Sequence, residues 1–473
     1  MTLAYILVFV VLAVVIGVAT RTRGRLPVLL AASALAVYAL QPALPVRGLD
    51  FWLPTATLAL TVLAWVLTTP RERRTWRFNW PAAAILGGIA LTLGLTRYLG
   101  FSLPLTASPP PQTLQIFVAL AVITLAAFVL TRFSKPSKAL LTAGFVFVIL
   151  LFVLLKVPAL AVLASVGLRK LNQQSTALAS PLDLRWLGFS YIAFRWLHTI
   201  RDRQSGRLPA VSLSEYVVYV IFFPALTAGP IDRIERFVGD LRRPLALTAD
   251  DLGIAGKRLV IGLFKKFAVA DALALVALNG SNALQVRLAG WGWILLYAYA
   301  FQIYFDFSGY TDIAIGLGRL LGVKLPENFN SPYLKPNLTQ FWNNWHMSLT
   351  QWFRAYFFNP VTRSLRSAKK KLPIPAIIFI TQLATMGLIG LWHGVTWNFV
   401  LWGLWHGLGM FAHNRWSELT KARFATLPPR SQKLLNVGGV LLTFHFVALG
   451  WVFFALPSPA VSFHFLQVLF WFG

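Results

Sequence analysis

The first third of the chain alternates apolar runs with short polar breaks. The runs cover residues 4–19, 26–40, 51–67, 81–95, 114–130 and 139–155. With its flanks, each approaches the roughly 20 residues that a helix needs to cross a hydrocarbon core of about 30 Å. The first run lacks a basic stretch ahead of it and has arginines behind it, which is not the pattern of a cleaved signal peptide. From residue 184 the rhythm loosens. Run 184–200 ends in Arg201, Arg203 and Arg207, and run 214–229 is interrupted by Pro224. Run 259–278 carries Lys265 and Lys266 at its centre, which predicts that part of it lies at the membrane surface. Run 291–307 reads as a clean span. Run 338–358 is rich in Trp and Phe yet holds Asn343, Asn344, His346 and Arg354, so it reads as a re-entrant or interfacial helix. Runs 374–391, 398–410, 438–456 and 463–472 complete the set. The expectation is an all-α polytopic membrane protein with roughly eleven to thirteen membrane segments, re-entrant ones included.

Composition agrees. Of 473 residues, 57% are hydrophobic and only 12% charged, about half the charged fraction of a soluble domain. The apolar content also excludes a disordered chain. No cysteine is present, which removes disulfides, thiolate metal sites and a cysteine nucleophile. The formal charge of +28 would suggest nucleic acid in a soluble chain; here its distribution reads as topology. Arg21, Arg23 and Arg25 fill the first break, Arg71, Arg73, Arg74 and Arg77 the third, and Arg132, Lys135 and Lys138 the fifth. In the second, Arg47 is offset by Asp50, and the fourth, residues 102–112, is uncharged. The positive-inside rule therefore predicts cytoplasmic odd breaks and an N-terminus outside.

Three polar clusters interrupt the later apolar sequence. FFPALTAGPIDR, residues 222–233, breaks a helix and then presents Asp232 and Arg233. An interfacial helix end and a place on a substrate path fit it equally. The second cluster runs from DFSGYTD through PENFNSPY to FWNNWH, residues 306–346. Asp306 and Asp312 are six residues apart, about 120° around a helix, so they do not form a paired-carboxylate site. Structural hydrogen bonding to Tyr, Ser and neighbouring helices is the reading favoured for them. On an unbroken helix Trp342, Trp345, His346, Leu349 and Phe353 share one face. From spacing alone His346 reads as a packed histidine. The third cluster, GLWHGVTWNFVLWGLWHG, residues 390–407, holds His393, Trp397 and His406. The two histidines lie about 140° apart on one helix, with no carboxylate near them in sequence, so a metal site is not supported. His393 ends a long apolar run, and a neutral imidazole there could deprotonate a hydroxyl. His198, His413, His445 and His464 read as structural.

These three motifs, in this order, resemble the membrane-bound O-acyltransferases. They most resemble the bacterial branch containing alginate O-acetyltransferase and teichoic-acid D-alanyltransferase. The resemblance spans roughly residues 184–416; the first six runs match in hydropathy only. It implies a ring of helices around a thin centre pierced by a tunnel. N-terminal helices would occupy residues 1–168 and the catalytic membrane core residues 169–473. An acyl thioester, from acetyl coenzyme A or an acyl carrier protein, would arrive from the cytoplasm and a hydroxyl acceptor from outside. No bound metal or prosthetic group is implied. The family's invariant histidine matches His393 and a second matches His346. Asn343, Asn344, Trp342, Trp345, Arg354, Asp312, Trp397, Asp232 and Arg233 become candidates for the substrate path. The implied partners are the lipid bilayer of a bacterial plasma membrane, a small acidic carrier protein on the cytoplasmic side and an extracytoplasmic esterase-like protein; nucleic acid is not implied. The basic run 363–371 would attract an anionic donor or, by the plainer reading, marks a cytoplasmic loop. A transporter or flippase, and an idle scaffold of an export complex, compete with the acyltransferase reading. Acetyl and D-alanyl transfer share every motif seen here.

Overall fold

The computed structural model describes residues 2–20, 24–99, 105–132, 137–369 and 372–470, with only the backbone of Trp76 and Arg132. Arg21, Arg23, Lys135, Lys370, Lys371, residues 102–104 and residues 471 and 472 of the last predicted run lie outside the described residues. The described residues form helices and connecting loops, with no strand. They belong to two compact units, one comprising Met1–Leu259 with Ile313–Pro326, the other Val260–Asp312 with Glu327–Gly473.

The first unit realises the first six predicted runs as helices Leu3–Ala19, Arg25–Leu40, Leu49–Thr68, Trp76–Leu95, Thr113–Arg132 and Lys138–Lys156. Thr113–Thr131 and Lys138–Lys156 are the most telling. Only 6% and 11% of their apolar windows are buried inside the protein. Apolar sides left open along such lengths are solvated by lipid, not water. The Leu49–Thr68 helix instead faces inward and carries a line of threonines. Thr57 Oγ1 donates to Leu53 O at 3.1 Å, and Thr57 Oγ1 also accepts from Trp186 Nε1 at 2.7 Å. Thr61 accepts from Trp196 Nε1 at 3.3 Å. In a medium that supplies no hydrogen bonds, each buried polar group must find its partner within the protein.

Two expectations change here. Run 184–200 is not one helix: a short 3-10 turn at Pro181–Leu184 precedes a helix at Phe189–Gln204. Asp183 in that turn accepts from Ser165 and Arg169 at 2.6 and 2.7 Å and ties it to a further helix, Pro158–Leu171, that hydropathy did not separate. Arg25, counted above as a loop cation, is buried. Its guanidinium donates to the carbonyls of Leu321, Asp240 and Arg243 at 3.3, 3.1 and 3.0 Å, and to that of Leu241. A forked, permanently charged donor can satisfy several orphan helix-end carbonyls at once.

Among the described residues, six helices are long and apolar enough to cross a membrane: Leu49–Thr68, Arg77–Tyr98, Thr113–Thr131, Lys138–Lys156, Ile374–His393 and Pro429–Ala455. Shorter apolar helices are Leu3–Ala19, Arg25–Leu40, Leu213–Ala225 and Pro459–Phe470. The chain is a multi-pass membrane protein.

Run 259–278 is broken in the structure. An α-helix at Ala249–Leu263 passes into a π-helical stretch at Phe264–Ala270 and a single turn at Asp271–Ala274. Within the second unit, the lysines of that stretch face carboxylates on the Ala289–Leu320 helix. Lys265 Nζ lies 2.7 Å from Asp312, and Lys266 pairs with Asp306. Both aspartates thus pair with lysines of a neighbouring helical stretch. Gly309 makes the approach possible, since a Cβ there would lie 2.8 Å from Gly262 O.

Candidate active site

Everything gathered around the two leading histidines belongs to the second unit. Run 338–358 does not form one helix. It divides into Leu338–Asn344, Met347–Phe353 and a π-helical turn, Arg354–Phe358. The break falls at His346, whose φ of 44° and ψ of 54° place it in the left-handed region. Histidine visits that region more readily than most side chains, yet it costs energy that the surroundings must hold in place. Asn328 holds it. Asn328 is fully buried; its backbone oxygen accepts from Met347 N at 3.0 Å and its Oδ1 from Ser348 N at 3.1 Å. The PENFNSPY segment that supplies it is fixed in turn. Tyr333 OH donates to Ala300 O at 2.8 Å and accepts from Trp451 Nε1 at 3.0 Å.

The face expected from an unbroken helix therefore fails as geometry, but its members are still interior. Trp342, Trp345, His346, Leu349 and Phe353 are all buried. The His346 ring stands edge-on to Phe307, centroids 4.6 Å apart.

His393 is the last residue of the Ile374–His393 helix, and extended Gly394 ends it. The next helix, Trp397–Ala425, returns alongside. Close packing between the two is set by glycines. A Cβ on Gly390 would sit 2.2 Å from Phe399 O, and one on Gly403 2.5 Å from Met386 O. Small residues let backbones meet where lipid offers no hydrophobic drive to association. His393 is half-buried. Its ring meets Trp392, Phe454 and Trp402 edge-on at 4.5, 4.8 and 5.5 Å and stacks on Phe399 at 6.0 Å. The ring of Trp392 also contacts that of His346, at 6.3 Å. A buried imidazole and a more accessible one thus share an aromatic enclosure.

Each of the other sequence candidates has its own partners or exposure. Asn343 is exposed and accepts from Arg354 Nη2 at 2.6 Å, while the Asn344 amide donates back to Gln340 O in its own helix. Trp397 is 73% exposed at the start of its helix. Asp312 is held by Lys265, as described above. In the first unit, buried Asp232 takes the Arg233 N–H at 2.7 Å and the Arg236 guanidinium. The Arg233 side chain is exposed. Asn328 was not singled out by sequence reasoning. An Asn beside two Pro and a second Asn signals only a turn.

Among the described residues one group has metal-ligand composition: His198, Asp202 and Glu235, their donor atoms within 4.8 Å of each other. Two of its groups, His198 and Asp202, are engaged with protein. His198 Nδ1 bonds Tyr219 OH at 2.9 Å, and Arg207 meets Asp202 at 2.9 Å. It lies in the first unit and reads as a helix tie.

Residue Asn328 yields a direct prediction. Asn328→Ala removes the acceptor of the Ser348 N–H and leaves that buried donor unsatisfied, a cost of about 1–3 kcal/mol. Amide exchange at residues 347 and 348 should accelerate at least tenfold, while exchange in the Ile374–His393 helix stays as in the wild type.

Comparison with known proteins extends the picture. The model of the MBOAT, membrane-bound O-acyltransferase family, matches residues 113–454, further in both directions than the motifs reach. A probable alginate O-acetylase of Pseudomonas aeruginosa is 34% identical over 316 residues, 66% of this chain and 57% of that protein. The teichoic acid D-alanyltransferase of Bacillus subtilis is 31% identical over 275 residues, 58% of this chain and 69% of that protein. A peptidoglycan O-acetyltransferase of Helicobacter pylori is 36% identical over 245 residues, 51% of this chain and 43% of that protein. The chain spans about half the length of the alginate and peptidoglycan relatives it matches. With nearly three quarters of its length inside the family match, and both histidine motifs within that stretch, this chain belongs to the membrane-bound O-acyltransferase family.

Proposed function

We propose that the protein transfers an acyl group, acetyl or D-alanyl, from a cytoplasmic thioester donor to hydroxyls of an extracytoplasmic envelope polymer. The observation that carries this reading is the pair His393 and His346 sharing one aromatic enclosure, one ring half-open and the other buried. His393 accepts the proton of the acceptor hydroxyl as its oxygen attacks the thioester carbonyl. The carbon–sulfur bond then breaks, the departing sulfur takes that proton from His393 and leaves as the thiol, and a new ester remains. General bases of this kind contribute about 10²–10⁴-fold. His346, fixed by its strained turn, orients the donor or steadies the developing oxyanion. Attack by an external hydroxyl needs no Ser or Cys nucleophile in the chain.

Exposed Arg363, Arg366 and Lys369 follow the helix turn after His346. They would draw a phosphorylated cofactor or an acidic carrier protein to the cytoplasmic side. The basic odd breaks of the first six runs support an N-terminus outside, in a bacterial plasma membrane. An acetyl donor would bring in an extracytoplasmic esterase-like partner, and a D-alanyl donor a carrier protein.

Deletion of the gene tests the reading. Mild base releases ester-linked acyl groups from purified envelope polymers. Loss of acetate in the deletion strain would identify acetyl transfer, and loss of D-alanine the alternative. An unchanged content of both would overturn the proposal.

A further inference from the structure

A second polar group lies in the same unit and has no part in the chemistry above. His406 is fully buried, Trp402 nearly so, and Trp342 is 5% exposed. The three rings form a closed triangle. Trp342 and Trp402 each lie 5.0 Å from His406, and 5.6 Å from each other. Neither nitrogen of His406 has a hydrogen-bond partner among the described residues, nor does the indole N–H of Trp342 or of Trp402. Edge-on rings offer N–H to π contacts at best, which are weak. Each unsatisfied buried group costs about 1–3 kcal/mol, so an aliphatic or phenyl side chain would pack the same space more stably.

The chain also gives up side-chain volume to seat this imidazole. Gly450 lies inside the Pro429–Ala455 helix, where glycine is a poor choice. A Cβ there would stand 2.6 Å from His406 Nε2. The arrangement is linked to the reacting group, because the Trp402 ring that touches His406 also touches His393, at 5.5 Å.

We infer that His406, Trp342 and Trp402 form a hydrogen-bonding subsite for a neutral carbonyl-bearing part of the acyl donor. Indole is a donor only, and imidazole offers one donor and one acceptor when neutral. With the imidazole neutral, these groups match an amide or thioester oxygen and not a phosphate. A buried water would satisfy the same nitrogens, and the experiment separates the two. The inference rests on the acyltransferase reading. His406 acts here as a positioning and binding residue.

The test uses His406→Leu, His406→Phe, His406→Gln and Trp342→Phe in the full-length protein. Inside-out membrane vesicles are supplied with acetyl coenzyme A or D-alanyl carrier protein, whichever the wild type uses. Thermal midpoints are measured in detergent. Donor KM should rise at least tenfold in His406→Leu and His406→Phe with midpoints at or above that of the wild type. It should stay within threefold in His406→Gln, which keeps a donor and an acceptor, and rise at least threefold in Trp342→Phe. Wild-type KM in the Leu or Phe variant would overturn the inference. So would midpoints that fall together with activity in both, the signature of a structural water or a packing role. If wild-type vesicles transfer neither acyl group, the acyltransferase reading itself fails and the subsite falls with it.

Discussion

His393→Ala is expected to lower envelope ester formation at least ~100-fold, with the protein still inserted and its thermal midpoint within a few degrees of wild type. The separation of the two effects follows from where the residue sits. His393 ends its helix, and Gly394 provides the turn that follows. Truncation removes the contacts of a half-buried ring and leaves the residue's own main chain in place. His346 differs because its backbone is part of the construction. At that position alanine would meet a left-handed φ of 44°, so a loss of activity would mix chemistry with strain. His346→Asn keeps a side chain that tolerates the conformation and removes only the ring. It should lose at least tenfold in ester formation with the Asn328 bonds to residues 347 and 348 still protected from exchange. Full activity in His393→Ala would end its role as base.

Gly403→Val is expected to abolish both folding yield and activity. The added carbons would begin 2.5 Å from Met386 O and 2.9 Å from Gly387 Cα. Those atoms are backbone and cannot rotate away. Overpacking of a tight contact costs about 1–3 kcal/mol and more when main chain must move. The shift would also separate the helix carrying His393 from the one carrying Trp402 and His406. Gly387→Ala is the control. Nothing lies within 4 Å of its added carbon, so it should insert, migrate as a single detergent peak and form ester as wild type does. Equal recovery of the two variants by size-exclusion profile would show that the helix pair does not depend on this contact.

Much of the fold was legible. Residues 374–391 were marked as a run and the helix is Ile374–His393. Residues 139–155 became Lys138–Lys156. Such ends are local, since apolar length and a following Gly, Pro or charge define them. The loosened region was legible only as trouble. The lysines at 265 and 266 suggested a surface segment; their carboxylates lie on another helix, 47 and 40 residues away in sequence. Arg25 looked like an orientation signal and is a buried fork across helix ends. A cation's value for topology and its hydrogen-bonding use cannot be told apart until its acceptors are known.

By itself the sequence determined the class: apolar runs of membrane length, few charges, no thiol, and histidines standing in otherwise apolar surroundings. Each of these is a sum over neighbouring residues. Tertiary structure decided which groups meet. It broke the helix at His346 and fastened the break to Asn328. It brought Trp392 against both leading histidines, through glycines that only a facing backbone explains. It also left His406 enclosed with Trp342 and Trp402. Helical periodicity specifies the face on which a side chain begins. Its partner depends on elements far away in sequence, and hydropathy carries no information about them.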